Sequence, residues 1–202
     1  MKIHASDGII FQTVENDDIL LLQALKLRHN VYLRAGYIEK AYPNGILPDK
    51  RDRNSIHIVA LDNKCVIGTI RLAQPPFDAF MVWKNDLFVQ AKELIRIATD
   101  SKSVELSALA VKKGTPFKKV SWGLYKATYL LSYLENINYW VIGIDVRVLR
   151  TLRILGWYAI EVALPAEYMG SICVPCIMPV AKQLENIADK NPRYYNYLIQ
   201  GT

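Results

Sequence analysis

Hydrophobic positions along this chain of 202 residues recur with two periods, and the points where the period changes mark out its elements. Gly8 to Val14 (G-I-I-F-Q-T-V) reads as a short strand. Asn16, Asp17 and Asp18 supply capping side chains, and apolar residues then repeat at helical spacing from Ile19 to Leu33. Ser55 to Leu61 and Cys65 to Leu72 are β-rich runs around Asp62-Asn63-Lys64, a hairpin signal, and Pro75-Pro76 ends the pair. From Asp86 to Ala98, Leu87, Ala91, Leu94 and Ile95 share one face of an amphipathic helix. Lys102 to Val111 is a strand. Lys112-Lys113-Gly114-Thr115-Pro116 then opens a long helix from Phe117 to Leu134, since proline suits the first turn. Tyr139 to Asp145 is a buried strand, and Arg147 to Leu155 is a short helix closed by Gly156. Trp157 to Leu164 and Ser171 to Val180 read as two more strands, and Ala181 to Ile199 as a helical tail that Pro192 interrupts.

The order β-α-β-β-α-β-α-β-α-β-β-α predicts an α/β layered sandwich. No internal repeat, low-complexity tract or long linker divides it, so residues 1–202 are expected to form one domain. Hydrophobic residues at 51% and charged residues at 22% exclude a disordered chain. No apolar run reaches the length of a membrane span, and the first residues lack the basic-then-apolar layout of a secretion signal, so a cytoplasmic location is expected. Three cysteines agree with that setting. Cys65 stands in an apolar run, and Cys173 and Cys176 form C-V-P-C within a strand. The three histidines (His4, His29, His57) are scattered, so no second ligand pair completes a zinc site and no metal is expected. A net charge of +6 implies an acidic partner: nucleic acid, anionic lipid or an acidic carrier protein. Basic residues are not interleaved with aromatics on a docking motif, which argues against nucleic acid.

The residue that changes this picture is Glu105, an acid inside the apolar run Val104-Glu105-Leu106-Ser107-Ala108-Leu109-Ala110-Val111. A carboxylate in the middle of a buried strand is unfavourable unless it is paired, solvated by a cleft or used in chemistry. The competing reading is an exposed alternate position of a half-buried strand.

The order of elements, and the unit Tyr139–Asp145 followed by Arg147 to Gly156-Trp157, resemble the Gcn5-related N-acetyltransferase (GNAT) fold. That resemblance implies a three-layer α-β-α sandwich whose mixed central sheet splays to admit a thioester arm. Local motifs resemble the acyl-homoserine-lactone (autoinducer) synthase branch: Glu105-Leu106-Ser107, Thr151-Leu-Arg-Ile-Leu-Gly-Trp157, Arg28 with Tyr32, Asp49 with Asp52, and Arg71 in Gly-Thr-Ile-Arg-Leu. The chain departs from that branch where Ala108 stands in place of an arginine, and where Tyr37 replaces a tryptophan at shifted spacing. Its size and overall run are most similar to the sister group of N-acyl amino acid synthases of the FeeM type, which make long-chain N-acyl tyrosines.

The resemblance implies an N-acyltransferase that takes a fatty acyl group from acyl carrier protein, as its phosphopantetheine thioester, with no bound cofactor. The acceptor implied is an amino acid, tyrosine first. Glu105 is then the general base that takes the proton of the attacking amine, directly or through a water, and burial would raise its pKa towards a useful range. Backbone N–H groups would hold the oxyanion. Arg71 is a candidate for the amino acid carboxylate. Arg28, Tyr32, Tyr37, Asp49, Asp52, Ser107 and Leu109 are further candidate substrate contacts, and Arg28 pairing with Asp49 or Asp52 is an equal alternative. The helix from Ile19 to Tyr37 would cover the amine as a lid. Trp122, Leu124, Tyr125 and Leu149 are candidates for the acyl slot, although aromatics at helical spacing also serve as plain core. Lys112, Lys113, Lys118 and Lys119 suit one phosphate and an acidic carrier surface better than a diphosphate, because the loop has one glycine and a proline. Arg147, Arg150 and Arg153 share a helix face and extend the basic patch. Where ordinary acetyltransferases of the fold often place a tyrosine four residues before the closing glycine, this chain has Leu152, so the thiolate leaves unassisted or with help from Tyr125, Tyr158 or Ser107. Four other readings stand beside this one: an autoinducer synthase, a coenzyme-A-dependent N-acetyltransferase, a basic nucleic-acid-binding module, and a non-catalytic carrier-binding scaffold.

Overall fold

Two compact units are found in a computed structural model that describes residues 1–4, 8–15 and 17–200: Met1–Ala73 with Leu106–Leu131, and Gln74–Glu105 with Ser132–Thr202. The expected cap at Asn16 lies outside the described residues. No helix among the described residues is long and apolar enough to cross a membrane.

The first unit is built on antiparallel strands β1 (Lys2–His4), β2 (Ile10–Thr13), β3 (Ser55–Asp62) and β4 (Cys65–Ala73), paired in that order. The expected hairpin turns through Asn63 (φ 47°) and Lys64 (φ 66°), the two left-handed residues that a tight two-residue turn requires. Strand β5 (Ser103–Val111) adds its second half beside β4, where the Lys112 N–H donates to the Ile67 carbonyl at 2.8 Å. Helix α1 (Asp18–Ala35) begins with Asp17, whose carboxylate accepts the Leu20 N–H, and ends at Gly36, which supplies the left-handed cap (φ 78°). Its Leu20, Ala24 and Leu27 pack on Val59, Leu61 and Val66.

Alternation along β3 turns Ala60 the other way, towards helix α4 (Phe117–Leu134). There Gly68 leaves room for Val120 and Leu124, and the ring of Phe11 fills the space a side chain at Gly123 would need. Two helices therefore sandwich the strands. Both α4 and strand β6 (Tyr139–Asp145) run over the residues their patterns predict.

In the second unit the first half of β5 pairs in parallel with β6, which in turn pairs antiparallel with β9 (Ser171–Pro179). The outer strands β7 (Ile160–Glu161) and β8 (Ala166–Tyr168) both pair with β9. The β5–β6 ladder covers only Ser103, Val104 and Glu105, whereas β6 stays paired with β9 as far as Asp145. Helices α2 (Asp78–Val82) and α3 (Lys92–Asp100) cover the face bearing Val141 and Ile177. On the opposite face Trp140 packs against Trp157 (5.5 Å between ring centres), and Trp157 against Tyr194 (6.1 Å). Tyr194 belongs to α7 (Pro192–Ile199), which follows α5 (Val146–Ile154) and α6 (Gln183–Lys190).

Three expectations are corrected here. The single helix over Asp86 to Ala98 is instead a bridge at Leu87, a 3-10 turn at Val89–Ala91 and then α3, because Leu87 is drawn into pairing with Ala163. The strand Trp157 to Leu164 shrinks to Ile160–Glu161. Its next hydrogen-bonding pair would be Tyr158 with Pro179, but proline has no N–H to give. The buried Gln183 amide fills that rung, donating to the Tyr158 and Pro179 carbonyls (2.9 and 2.8 Å) and accepting the Tyr158 N–H (2.9 Å). Strands β1 and β8 appear where none was expected.

Candidate active site

In the first unit, Arg28 of α1, Asp49 and Asp52 of the turn before β3, and Arg71 of β4 form one buried network. Arg28 grips Asp52 with both terminal nitrogens (2.8 and 2.7 Å) and reaches the Leu47 carbonyl at 3.1 Å. Arg71 Nη1 donates to Asp49 and to Asp52, each at 2.7 Å, and its Nε to Ser107 Oγ at 3.1 Å. Arg51 closes on Asp49 from the far side (3.2 and 3.0 Å). Local structure explains the meeting. Arg28 stands one helical turn beyond Ala24, on the face that packs against the strands, and Asp49 caps the 3-10 turn Lys50–Asn54 by accepting the Arg51 N–H. The side chains of Arg28 and Arg71 are each 3% exposed.

Burial alone would raise the Asp52 carboxyl, but the guanidinium groups of Arg28 and Arg71 outweigh it and hold it below the usual carboxylate range. Asp49 is likewise raised by burial and lowered further by Arg51 and Arg71, so it too stays ionised. Both acids are thus occupied as counter-ions of arginines. His57, opposite Arg71 in the β3–β4 register, joins them without having been singled out as a site residue from sequence. Its Nε2 donates to the Asp52 carbonyl at 3.1 Å, and burial lowers its pKa, leaving a neutral imidazole at pH 7. Tyr32 and Tyr37 meet edge to face, 5.3 Å between ring centres, across the Gly36 cap.

Lys112, Lys113, Lys118 and Lys119 are all exposed, on the loop before α4 and in its first turn. Thr115 Oγ1 donates to the Lys112 carbonyl at 2.7 Å and shapes that loop. Lys118 lies 4.4 Å over the ring of half-buried Trp122. Burial pushes the Tyr125 hydroxyl up to about 12, so it is a neutral donor. Ala108, where the autoinducer branch has an arginine, takes a left-handed backbone (φ 58°) between half-buried Ser107 and Leu109. A non-glycine residue in that region is strained, and its φ interrupts the extended backbone of β5.

In the second unit Glu105 is 4% exposed, which disposes of the solvent-facing alternative. Its Oε2 accepts the backbone N–H of Ala79 at 3.2 Å. Paired with Val141, it points to the side where Phe77, Phe80 and Ala79 pack. Leu149 is buried on α5. The face of α5 that carries Arg147, Arg150 and Arg153 is less basic than its sequence suggests. Arg147 is bound by Asp145 (2.7 Å) and Arg153 by Glu161 (2.8 Å). Cys173 and Cys176 are both buried, and burial raises both thiols, Cys176 to about 12. Among the described residues no group of His, Cys, Asp and Glu is arranged to hold a metal.

The sequence model of a family described as N-acyl amino acid synthase FeeM matches residues 23–161. No curated protein gives a significant match. Solved structures share the architecture. FeeM, an N-acyl amino acid synthase from uncultured soil microbes, is 12% identical, with 88% of this chain and 94% of that one aligned and a TM-score of 0.66. The acyl-homoserine lactone synthase LasI is 16% identical over 91% of this chain and 95% of its own, at a TM-score of 0.69. BjaI, a coenzyme-A-dependent acyl-homoserine lactone synthase solved with S-adenosylmethionine and isopentyl-CoA, is 16% identical over 93% and 90%, at 0.70. At these identities the likeness speaks for the fold, the mixed α/β sandwich of GNAT-like N-acyltransferases.

Proposed function

The chain belongs to the N-acyl amino acid synthase FeeM family, and from that premise we propose that it moves a long-chain fatty acyl group from acyl carrier protein to the α-amine of L-tyrosine. It does so as a single-domain cytoplasmic enzyme with the phosphopantetheine thioester as co-substrate and no bound cofactor. The observation that carries the mechanism is Glu105, a carboxylate shielded from solvent on the strand whose ladder with β6 breaks off at that residue.

An α-amino group with a pKa near 8 is mostly protonated at neutral pH and cannot attack. Glu105 takes one proton from it. The amine nitrogen then bonds to the thioester carbonyl carbon, the carbonyl oxygen gathers charge, and the carbon–sulfur bond breaks as the nitrogen gives up a second proton, which passes to the leaving sulfur, and the amide forms. An interrupted strand frees backbone N–H groups from ladder pairing, and the left-handed Ala108 supports such a role for β5 in holding the oxyanion. The departing thiolate is a good leaving group, and Tyr125, Tyr158 or Ser107 can return its proton.

In the acceptor half of the site, Arg71 binds the tyrosine carboxylate, with its charge and orientation set by Asp49, Asp52 and Ser107. Arg28 belongs to the same network, and Tyr32 and Tyr37 pack against the aromatic ring of the acceptor. Leu109, Trp122 and Tyr125 line the acyl slot. Lys112, Lys113, Lys118 and Lys119, with Arg147, Arg150 and Arg153, meet the acidic carrier and its phosphate. Net charge +6 supports an acidic partner.

Mass spectrometry of lipids from bacteria expressing the chain tests this reading. N-acyl tyrosines are expected, N-acyl derivatives of another amino acid would correct the acceptor, and the absence of any would sink the proposal. Purified enzyme offered acyl carrier protein and coenzyme A thioesters side by side identifies the donor.

A further inference from the structure

Glu105 is met by a segment that nothing in the sequence connects with it. After Pro75-Pro76 the chain turns through Phe77 into α2, and buried Phe77 and Ala79 pack on Val141 of β6. Phe77 and Phe80 lie edge to face at 5.8 Å. The register of β5 with β6 puts Glu105 beside Val141, so its carboxylate enters this apolar wall. The first N–H groups of a helix have no partner inside it. One of them, that of Ala79, donates to Glu105 Oε2.

From this geometry we infer that the Ala79 amide is a positioning group for Glu105. It fixes one carboxylate oxygen and favours the ionised form, so that a charged base stands ready beside the apolar wall. The role rests on Glu105 being the base. Titratable groups on the elements packed around Glu105 within this unit are Asp78 on α2, Tyr139 and Asp145 on β6, and Cys173 and Cys176 on β9. Asp145 is bound by Arg147, and the two buried thiols are neutral. Asp78 adjoins the donor in the chain.

The test removes that one donor from the full-length enzyme by replacing the Ala79 residue with its α-hydroxy analogue, an amide-to-ester exchange that keeps the methyl group. Infrared titration isolates the Glu105 carboxyl stretch by subtracting the spectrum of Glu105→Gln in the same background. The midpoint is expected to rise by about one pH unit, the share of one backbone donor, and the acid limb of kcat/KM to move with it. Ala79→Gly keeps the N–H and leaves both unchanged. Ala79→Pro is a second donor-less variant, since proline is tolerated in a first helical turn. An unmoved midpoint in both donor-less proteins overturns the positioning role. A shifted midpoint together with wild-type turnover by Glu105→Gln supports the hydrogen-bond coupling and refutes the base assignment, so the two failures read differently.

Discussion

Asp52 and Glu105 are both buried carboxylates, yet they are held in opposite ways. Asp52 gathers guanidinium contacts from Arg28 and Arg71 as well as sitting 3.8 Å from the His57 ring. Glu105 takes a backbone amide at the edge of an apolar wall made by Phe77, Ala79 and Val141. An acid saturated by fixed cations keeps its charge and cannot pick up a proton at physiological pH, so it serves geometry. An acid against apolar side chains can change its protonation state, which is what a base must do. On the proposed reading, the first acid serves geometry and the second serves chemistry.

The comparison breaks most visibly at Glu105 itself. Glu105→Gln keeps shape and hydrogen-bonding atoms but not basicity, and turnover should fall by about 10²–10⁴-fold with little change in stability, read by steady-state kinetics beside a melting curve. The reverse pattern is expected at Arg28. Arg28→Ala leaves Asp52 short of its bidentate partner and should destabilise the first unit by about 3 kcal/mol in urea titration. The same acids give a pH signature. Their folded pKa values lie below the unfolded ones, so the stability they add is present above about pH 4 and is lost as pH falls through the folded values. Arg28→Ala should flatten that acid loss. A smaller effect, about 1–3 kcal/mol, is expected for Gly123→Ala, whose new methyl would clash with the Phe11 ring, again read by urea titration. Smallest in free energy, Lys118→Glu with Lys119→Glu should weaken carrier binding at low salt by about tenfold and leave it nearly unchanged at high salt. Equal affinity at both salts would remove these lysines from the docking surface.

The legible parts of the fold were those where one strong pattern acted alone. The apolar repeat after Pro116 located α4, and the run Tyr-Trp-Val-Ile-Gly-Ile-Asp located β6. Between Gln74 and Ser101 the pattern failed because Leu87, Ala91, Leu94 and Ile95 bury one continuous face from a bridge, a 3-10 turn and a helix together. The site divides in the same way. Glu105 was visible as an acid in an apolar run. His57 was not, because counting back from the hairpin turn pairs it with Ile70. A register shift at Ala60/Leu61 brings it opposite Arg71 instead. The left-handed φ at Ala108 and the amide of Ala79 involve backbone alone, and no side-chain pattern reports them.

The rung that Gln183 supplies between Tyr158 and Pro179 has a chemical consequence over time. Side-chain amides hydrolyse slowly to acids. At this position the product would set an anion against two carbonyl oxygens with no proton left to share. A molecule that opened this corner and aged there could not close it again, so loss of one ammonia from Gln183 would be a one-way exit from the native state.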